Sequence, residues 1–261
     1  MKTALLISTY NWPSALQLVL KSLSEQTVFP DEVLIADDGS SEETKQLIEA
    51  FSAKSPSKVV HVWHEDKGFR KAVILNKAVA KSSSDYIIQI DGDCIMHPEF
   101  IADHKRNAQK NTYLYGTRAT ITKEALPRIF NEGQTEYHYF SKDLKKRSRT
   151  IHSTLLSGLY RPHKEFSSNF RGCNVSFWKQ DFIDINGYNE NFEGWGREDS
   201  DLVIRLGNKG VWARRLRYAA IVYHIYHPEN PRDQLKENDA LQNASVINKI
   251  VRIEKGISQY L

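Results

Sequence analysis

Short apolar runs alternate with amphipathic helical patterns through the first hundred residues. Thr3–Ile7, Val33–Ala36, Val59–Trp63 and Tyr86–Ile90 have the length and β-branched content of strands. Between the first two, Leu16, Val19, Leu20 and Leu23 recur at spacings of three and four, which predicts a helix with Asn11 as its cap and Pro13 in its first turn. Ser40 and Glu43 fit a capping box, followed by Leu47, Ile48 and Phe51 on one helix face. A third helix is expected over residues 69–81. Strand and helix alternating at this period predict an α/β fold with right-handed crossovers, a mostly parallel central sheet and helices flanking it.

Polar clusters follow three of these strands: Ser8-Thr9-Tyr10-Asn11, Asp37-Asp38-Gly39-Ser40 and Asp91-Gly92-Asp93. In open parallel sheets ligands bind beyond the carboxyl ends of strands, so the three clusters point to one cleft. Residues 120–168 are polar and irregular and carry a basic run, Lys142, Lys145, Lys146, Arg147 and Arg149. This segment reads as an insertion over the cleft. A strand is expected at Ala220–Tyr223, and Leu241, Val246, Ile247, Ile250 and Ile253 suggest a short amphipathic helix near the end. Three segments are expected: 1–117, which holds the strand–helix alternation, 118–227, and 228–261 as a helical tail.

Composition narrows the class without selecting it. With 261 residues, 40% hydrophobic and 26% charged, the chain can bury a full core. A net charge of +4 suits phosphates, nucleic acid or an anionic membrane face equally. Two cysteines, Cys94 and Cys173, support neither a disulfide framework nor a zinc knuckle. The first apolar run is too short for a signal-peptide core, and no stretch approaches the roughly 20 apolar residues of a membrane span. A cytoplasmic protein is expected, with peripheral contact at an inner membrane face as an option.

Asp91-Gly92-Asp93 sets two carboxylates around a glycine after a buried strand. That is a compact oxygen site for Mg²⁺ or Mn²⁺, and it is equally the composition of a solvated turn. Arg70 and Asn76 open a helix and can face the cleft, Arg70 toward phosphate or a base. Gly194-Trp195-Gly196-Arg197-Glu198-Asp199-Ser200-Asp201-Leu202 is the strongest local signal. Its tryptophan offers a stacking platform for a sugar ring. Its carboxylates offer a general base, although acidic residues also suit a helix N-terminus through its dipole. Leu202, Ile204 and Leu206 anchor that helix. His224 and His227 lie three apart after the late strand, and either can complete a metal site with Asp93. His64, His97 and His104 carry no expected role.

Taken in order, S-T-Y-N, D-D-G-S and D-G-D resemble glycosyltransferase family 2 of the GT-A fold. F-R-G-C-N-V-S-F and G-W-G-R-E-D-S-D resemble the acceptor-side region of β-galactosyltransferases and bacterial chondroitin-type polymerases. The resemblance spans residues 1–227. It implies that Thr9 and Asp38 hold the nucleotide with Tyr10, Asn11 and Asp37 close by, and that Asp91 and Gly92 belong to the metal motif with Asp93 as the direct ligand. It implies Asp199 as catalytic base, Glu198 beside it at the sugars, Trp195 as the stacking residue, and His224 as late metal ligand with His227 as a substitute. The expected cofactor is Mn²⁺ or Mg²⁺, and the expected partners are a nucleotide-sugar donor, UDP-linked by resemblance, and a glycan or lipid-linked acceptor, with no nucleic acid.

The implied enzyme is an inverting hexosyltransferase or N-acetylhexosaminyltransferase of surface polysaccharide or lipopolysaccharide synthesis. Processive synthases carry Q-x-x-R-W and membrane helices; neither is present, so addition of a single sugar is expected. Two rivals share some features. A sugar-nucleotide nucleotidyltransferase would want a glycine-rich phosphate loop, and only Ser8–Asn11 stands near the N-terminus. A non-catalytic basic binding protein rests on the run at 142–149 with Arg214, Arg215 and Arg217.

Overall fold

The computed structural model describes residues 1–167, 170–228 and 233–261. Residues 168–169 and 229–232, at the end of the expected insertion and the start of the expected tail, lie outside the described residues. The elements run β1 (Thr3–Thr9), α1 (Pro13–Ser24), β2 (Glu32–Asp37), α2 (Glu42–Ser52), β3 (Lys58–Trp63), α3 (Lys71–Lys81), β4 (Tyr86–Asp91), β5 (Cys94–Met96), α4 (Phe100–Asn107), β6 (Thr112–Tyr115) and β7 (Thr117–Ile121). They continue as α5 (Leu126–Glu132), β8 (Leu144–Lys145), α6 (Thr154–Ser157), β9 (Asn174–Trp178), α7 (Lys179–Asp184), α8 (Glu198–Lys209), β10 (Trp212–Arg215), β11 (Ile221–His224) and α9 (Leu235–Ile247).

The main sheet has the order β10-β6-β9-β4-β1-β2-β3. Strands β4, β1, β2 and β3 are parallel, as the alternation predicts. Strand β9 runs antiparallel between β4 and β6. Strand β1 shows why no polar alternation marks these strands in the sequence. Ala4 and Leu6 pack with α3, α7 and α8 on one face, while Leu5 and Ile7 pack with α1 and α4 on the other. A strand buried on both faces reads as a continuous apolar run. A smaller sheet, β5-β11-β7-β8, lies against α1 and α5 through Ile95, Ile121, Tyr223, Leu18 and Ile129.

Several local expectations are corrected. The cap of α1 is Trp12 rather than Asn11, whose Oδ1 instead accepts from Ser41 N at 2.9 Å in the neighbouring loop. No capping box forms at Ser40: α2 is capped at Ser41, and Ser40 Oγ accepts from Asn11 N at 2.9 Å. Helix α3 starts at Lys71, two residues late, with Arg70 as its cap. Ile204 is only half-buried, while Val203 is buried with Leu202 and Leu206. The expected apolar tail face is not the packed one. Val246 and Ile247 are exposed, and α9 docks through Asn238 and Ser245, which bond to Glu193 O and Asp201.

Candidate active site

The ends of β1, β2 and β4 open on one cleft of about 820 Å³. Thr9, Tyr10, Asp38, Asp91, Gly92, Asp93, Trp195 and His224 line it, so eight of the expected residues share a single wall system. The D-G-D turn is where the chain crosses from the main sheet into β5. Gly92 N donates to Ser8 O at 2.7 Å, and a Cβ on Gly92 would lie 2.9 Å from that oxygen. The glycine is therefore required by the neighbouring strand. Asp91 is held by Ser8 Oγ at 2.8 Å.

The register of the small sheet brings the histidines to Asp93. His224 pairs with Cys94 across β11 and β5, and Ile225 N donates to Asp93 O at 2.9 Å. His224 Nε2 and His227 Nε2 lie 3.4 and 3.3 Å from Asp93 Oδ2. The three ligand atoms fall within 4.8 Å of one another, so both histidines reach the site rather than one. His227 Nδ1 stands 2.6 Å from Pro228 O. With a metal ion bound, a proton fixed there would leave the Nε2 lone pair free for the ion, the outer-shell arrangement that suits a metal ligand; without one, Nε2 can donate to Asp93. Burial would raise the Asp93 carboxyl, but the two imidazoles outweigh it and hold it at about 2. One carboxylate with two imidazoles fits Mn²⁺ better than Mg²⁺, which prefers oxygen throughout.

Helix α8 supplies the acidic cluster, and its members separate sharply. Asp201 is fully buried and pairs with the equally buried Arg205 at 2.7 Å, while Ser245 Oγ donates to its other oxygen. It is a structural group. Asp199 keeps 21% of its side chain exposed. It packs on Gly172 so closely that a Cβ there would lie 1.9 Å from its carboxyl carbon. Tyr188 OH donates to Asp199 Oδ1 at 3.2 Å and receives Gln89 Nε2 at 2.8 Å. Burial raises the Asp199 carboxyl, partly offset by Lys71, and raises Glu198 to about 7 with Asp199 adding to the shift.

Lys71 joins these groups, and the sequence reading passed over it in favour of Arg70 and Asn76. Its Nζ lies 3.0 Å from Asp91, 3.6 Å from Asp199 and 4.0 Å from Glu198. Burial opposes its charge, yet the three carboxylates keep its pKa well above the ordinary lysine value. The available signal was a basic residue in a helix's first turn, where the dipole disfavours it. Arg118, also unanticipated, lines the cleft with its guanidinium 3.6 Å from Cys173 Sγ.

The remaining expected residues do not line the cleft. Asp37 is fully buried and bonded to His61 at 2.9 Å and Ser40 N at 2.8 Å. Asn76 is fully buried and clasps the Tyr188 backbone and Glu190. Arg70 offers its backbone N–H to Asp38 Oδ2 at 2.9 Å, and its guanidinium turns to Glu65 O. Asn11 ties two cleft loops together. His64, with no role expected, lies 2.6 Å from Asp38 and fixes it at the cleft rim.

Known proteins resemble the chain in sequence and in fold. The family model for glycosyl transferase family 2 matches residues 4–165, and that for the N-terminal domain of galactosyltransferase matches residues 158–228. Validoxylamine A glucosyltransferase of Streptomyces hygroscopicus subsp. limoneus is 26% identical over 80% of this chain and 48% of its own. Chondroitin synthase of Escherichia coli is 25% identical over 88% of this chain and 36% of its own. The chain thus spans about half or less of these relatives. Staphylococcus aureus TarS 1-349, in complex with UDP-GlcNAc, superposes with a TM-score of 0.64 at 16% identity, covering 100% of this chain and 69% of that one. The mannosyltransferase of Pyrobaculum calidifontis, in complex with GDP-Man and Mn²⁺, gives 0.60 at 16%, covering 98% and 65%. The shared architecture is the GT-A fold, and no helix among the described residues is long and apolar enough to cross a membrane. With the first family model covering well over half of its length, the chain belongs to glycosyltransferase family 2.

Proposed function

We propose that the protein transfers one sugar, with inversion, from a nucleotide-sugar to a hydroxyl of a glycan or glycolipid acceptor. The observation that carries this reading is the pair of acidic centres around Lys71: Asp91, next to the Asp93–histidine triangle, and Asp199 at the start of α8. The nucleotide occupies the side of Thr9, Tyr10 and Asp38, and the sugar packs on Trp195. Asp93, His224 and His227 would hold a divalent ion, which would offset charge on the leaving diphosphate. Asp199 accepts the acceptor's proton; its burial raises its basicity, and Tyr188 fixes its orientation. Glu198, anchored by Gly196 N at 3.1 Å, positions the sugars. Lys71 stands between Asp91 and Asp199 and offsets their like charge. UDP is supported as the nucleotide by the TarS complex, and Mn²⁺ by both the donor set and the mannosyltransferase complex.

The test is a screen of UDP- and GDP-sugars for hydrolysis with Mn²⁺ present, water standing in for the acceptor. Release of nucleotide from one donor, abolished by EDTA, supports the reading. No hydrolysis of any donor, together with no nucleotide binding, overturns it.

A further inference from the structure

The cations Arg205, Lys209, Arg128 and Lys71 all sit against carboxylates. Among the described residues five others, Arg118, Lys146, Arg149, Arg215 and Arg217, do not. Arg118 of β7, Lys146 and Arg149 beyond β8, and Arg215 and Arg217 after α8 come together from distant stretches, and Arg171 ahead of β9 faces them. Arg149 Nη1 donates to Arg118 O at 3.0 Å, and Arg217 Nη2 donates to Ser148 O at 2.9 Å, so the backbone builds the group rather than chance proximity. Among the described residues, none of Arg118, Lys146, Arg149, Arg215 or Arg217 has a carboxylate within 4.0 Å. Arg217 Nη1 is buried without a hydrogen-bond partner.

Like charges brought together are costly in the absence of a ligand, although Asp93 and the two cysteines favour the charge on Arg118. The neighbouring arginine depresses the Lys146 ammonium, and burial with four nearby arginines depresses Arg149. An oxyanion would relieve that repulsion and accept the free donors. The group is also continuous with the cleft, because Arg118 lines the wall that carries Asp93, Thr120 and His224.

We propose that this cationic cluster is an acceptor subsite that holds a phosphate or carboxylate carried by the acceptor glycan next to the hydroxyl to be glycosylated. It rests on the sugar-transfer reading only in naming the ligand as acceptor. A lipid surface is the competing source of phosphate, since Leu155 and Leu159 nearby in sequence are 82% and 72% exposed. The cleft-wall position of Arg118 favours the glycan.

The probes are glucose, glucose 6-phosphate and glucuronate, titrated calorimetrically at constant ionic strength against the wild type and K146Q/R215Q. Among the described residues neither replaced side chain makes a hydrogen bond, and a thermal melt verifies folding. If the double variant melts early, K146Q alone is compared. Expected is saturable binding of both charged sugars, glucose at least roughly tenfold weaker, and loss of roughly tenfold in affinity on substitution. Equal binding of glucose, no binding of the charged sugars, or unchanged affinity in the variant overturns the proposal. So does variant-sensitive binding to phosphatidylglycerol vesicles with no effect on the charged sugars, which assigns the cluster to lipid. UDP binding with Mn²⁺ is read separately: its failure in the wild type sinks the donor-cleft reading, whereas the anion titrations need no nucleotide.

Discussion

The Lys71 ammonium lies 3.6 Å from an Asp199 carboxylate oxygen and so couples the first turn of α3 to the first turn of α8. It also holds Asp91 at 3.0 Å. Replacing it with methionine leaves neighbouring carboxylates without their cation. Loss of one partner from a buried ionic group costs on the order of 3–5 kcal/mol. Lys71→Met is expected to lower stability in urea unfolding and to move the acid limb of the pH–rate profile upward, because Asp199 and Glu198 lose a positive neighbour. Lys71→Arg should restore most of both. An unmoved acid limb in Lys71→Met would show that the lysine does not tune the base.

Asp199→Asn keeps the shape of the side chain and the Tyr188 contact but removes basicity. A general base contributes about 10²–10⁴-fold in rate. Transfer should fall by that factor while UDP affinity stays within about twofold of wild type. Wild-type turnover in this variant would remove Asp199 from the mechanism.

Glu198 links activity to stability through pH. Its carboxyl titrates at about 7 in the fold, raised first by burial and then by Asp199, against 4.5 for an ordinary glutamate. Between those values the unfolded chain has released its proton while the fold retains it. Stability therefore falls as the pH rises through that window, and the penalty is complete above it. Glu198→Gln should raise stability by up to about 3 kcal/mol near pH 8 and have no effect near pH 4. Calorimetric melts at the two pH values decide this; equal effects at both would contradict it. The gain should come with lost transfer, the usual trade at a strained catalytic position.

Removing an imidazole from the Asp93 site should weaken Mn²⁺ by at least tenfold, by analogy with ligand-shell losses in metal sites. We expect His224→Ala and His227→Ala each to do so in a paramagnetic resonance titration, since both ring nitrogens face the same carboxylate oxygen. If only one does, the site uses a single histidine.

Asp201 should behave unlike its neighbours. Asp201→Ala leaves Arg205 fully buried with its NεH unpaired and frees Ser245. Unfolding free energy should drop by about 3–5 kcal/mol. UDP binding, measured on the folded fraction, should persist. A small stability change would mean that the pair is replaceable by local repacking.

The parts of this fold that were legible in the sequence depend on local pattern. Strands β1, β2 and β4 are apolar runs with polar residues at their carboxyl ends, and α1 declares its buried stripe at Leu16, Val19, Leu20 and Leu23. The strand ends in turn placed Thr9, Asp38, Asp91 and Asp93 in one cleft. What escaped depends on partners far along the chain. Strand β9 owes its antiparallel place to pairing with β4 and β6, and β8 has only two residues. Lys71 gains meaning only when α8 docks beside α3. Asp201 and Asp199 sit two residues apart on a helix, so sequence spacing could not tell which faced solvent and which the core.

Strand β9 returns beside β6, directly after the chain's long excursion from β7, and Asn174 clamps that junction. Its side-chain amide donates to Thr117 O and Ala220 O, and its backbone carbonyl accepts from Gly116 N. Both ends of the excursion are thereby bolted to one spot on the scaffold. Lengthening such a closed segment costs only about 0.6 kcal/mol per doubling. The loops between these anchors can therefore change in length at little entropic cost while Asn174 keeps its hold on both ends.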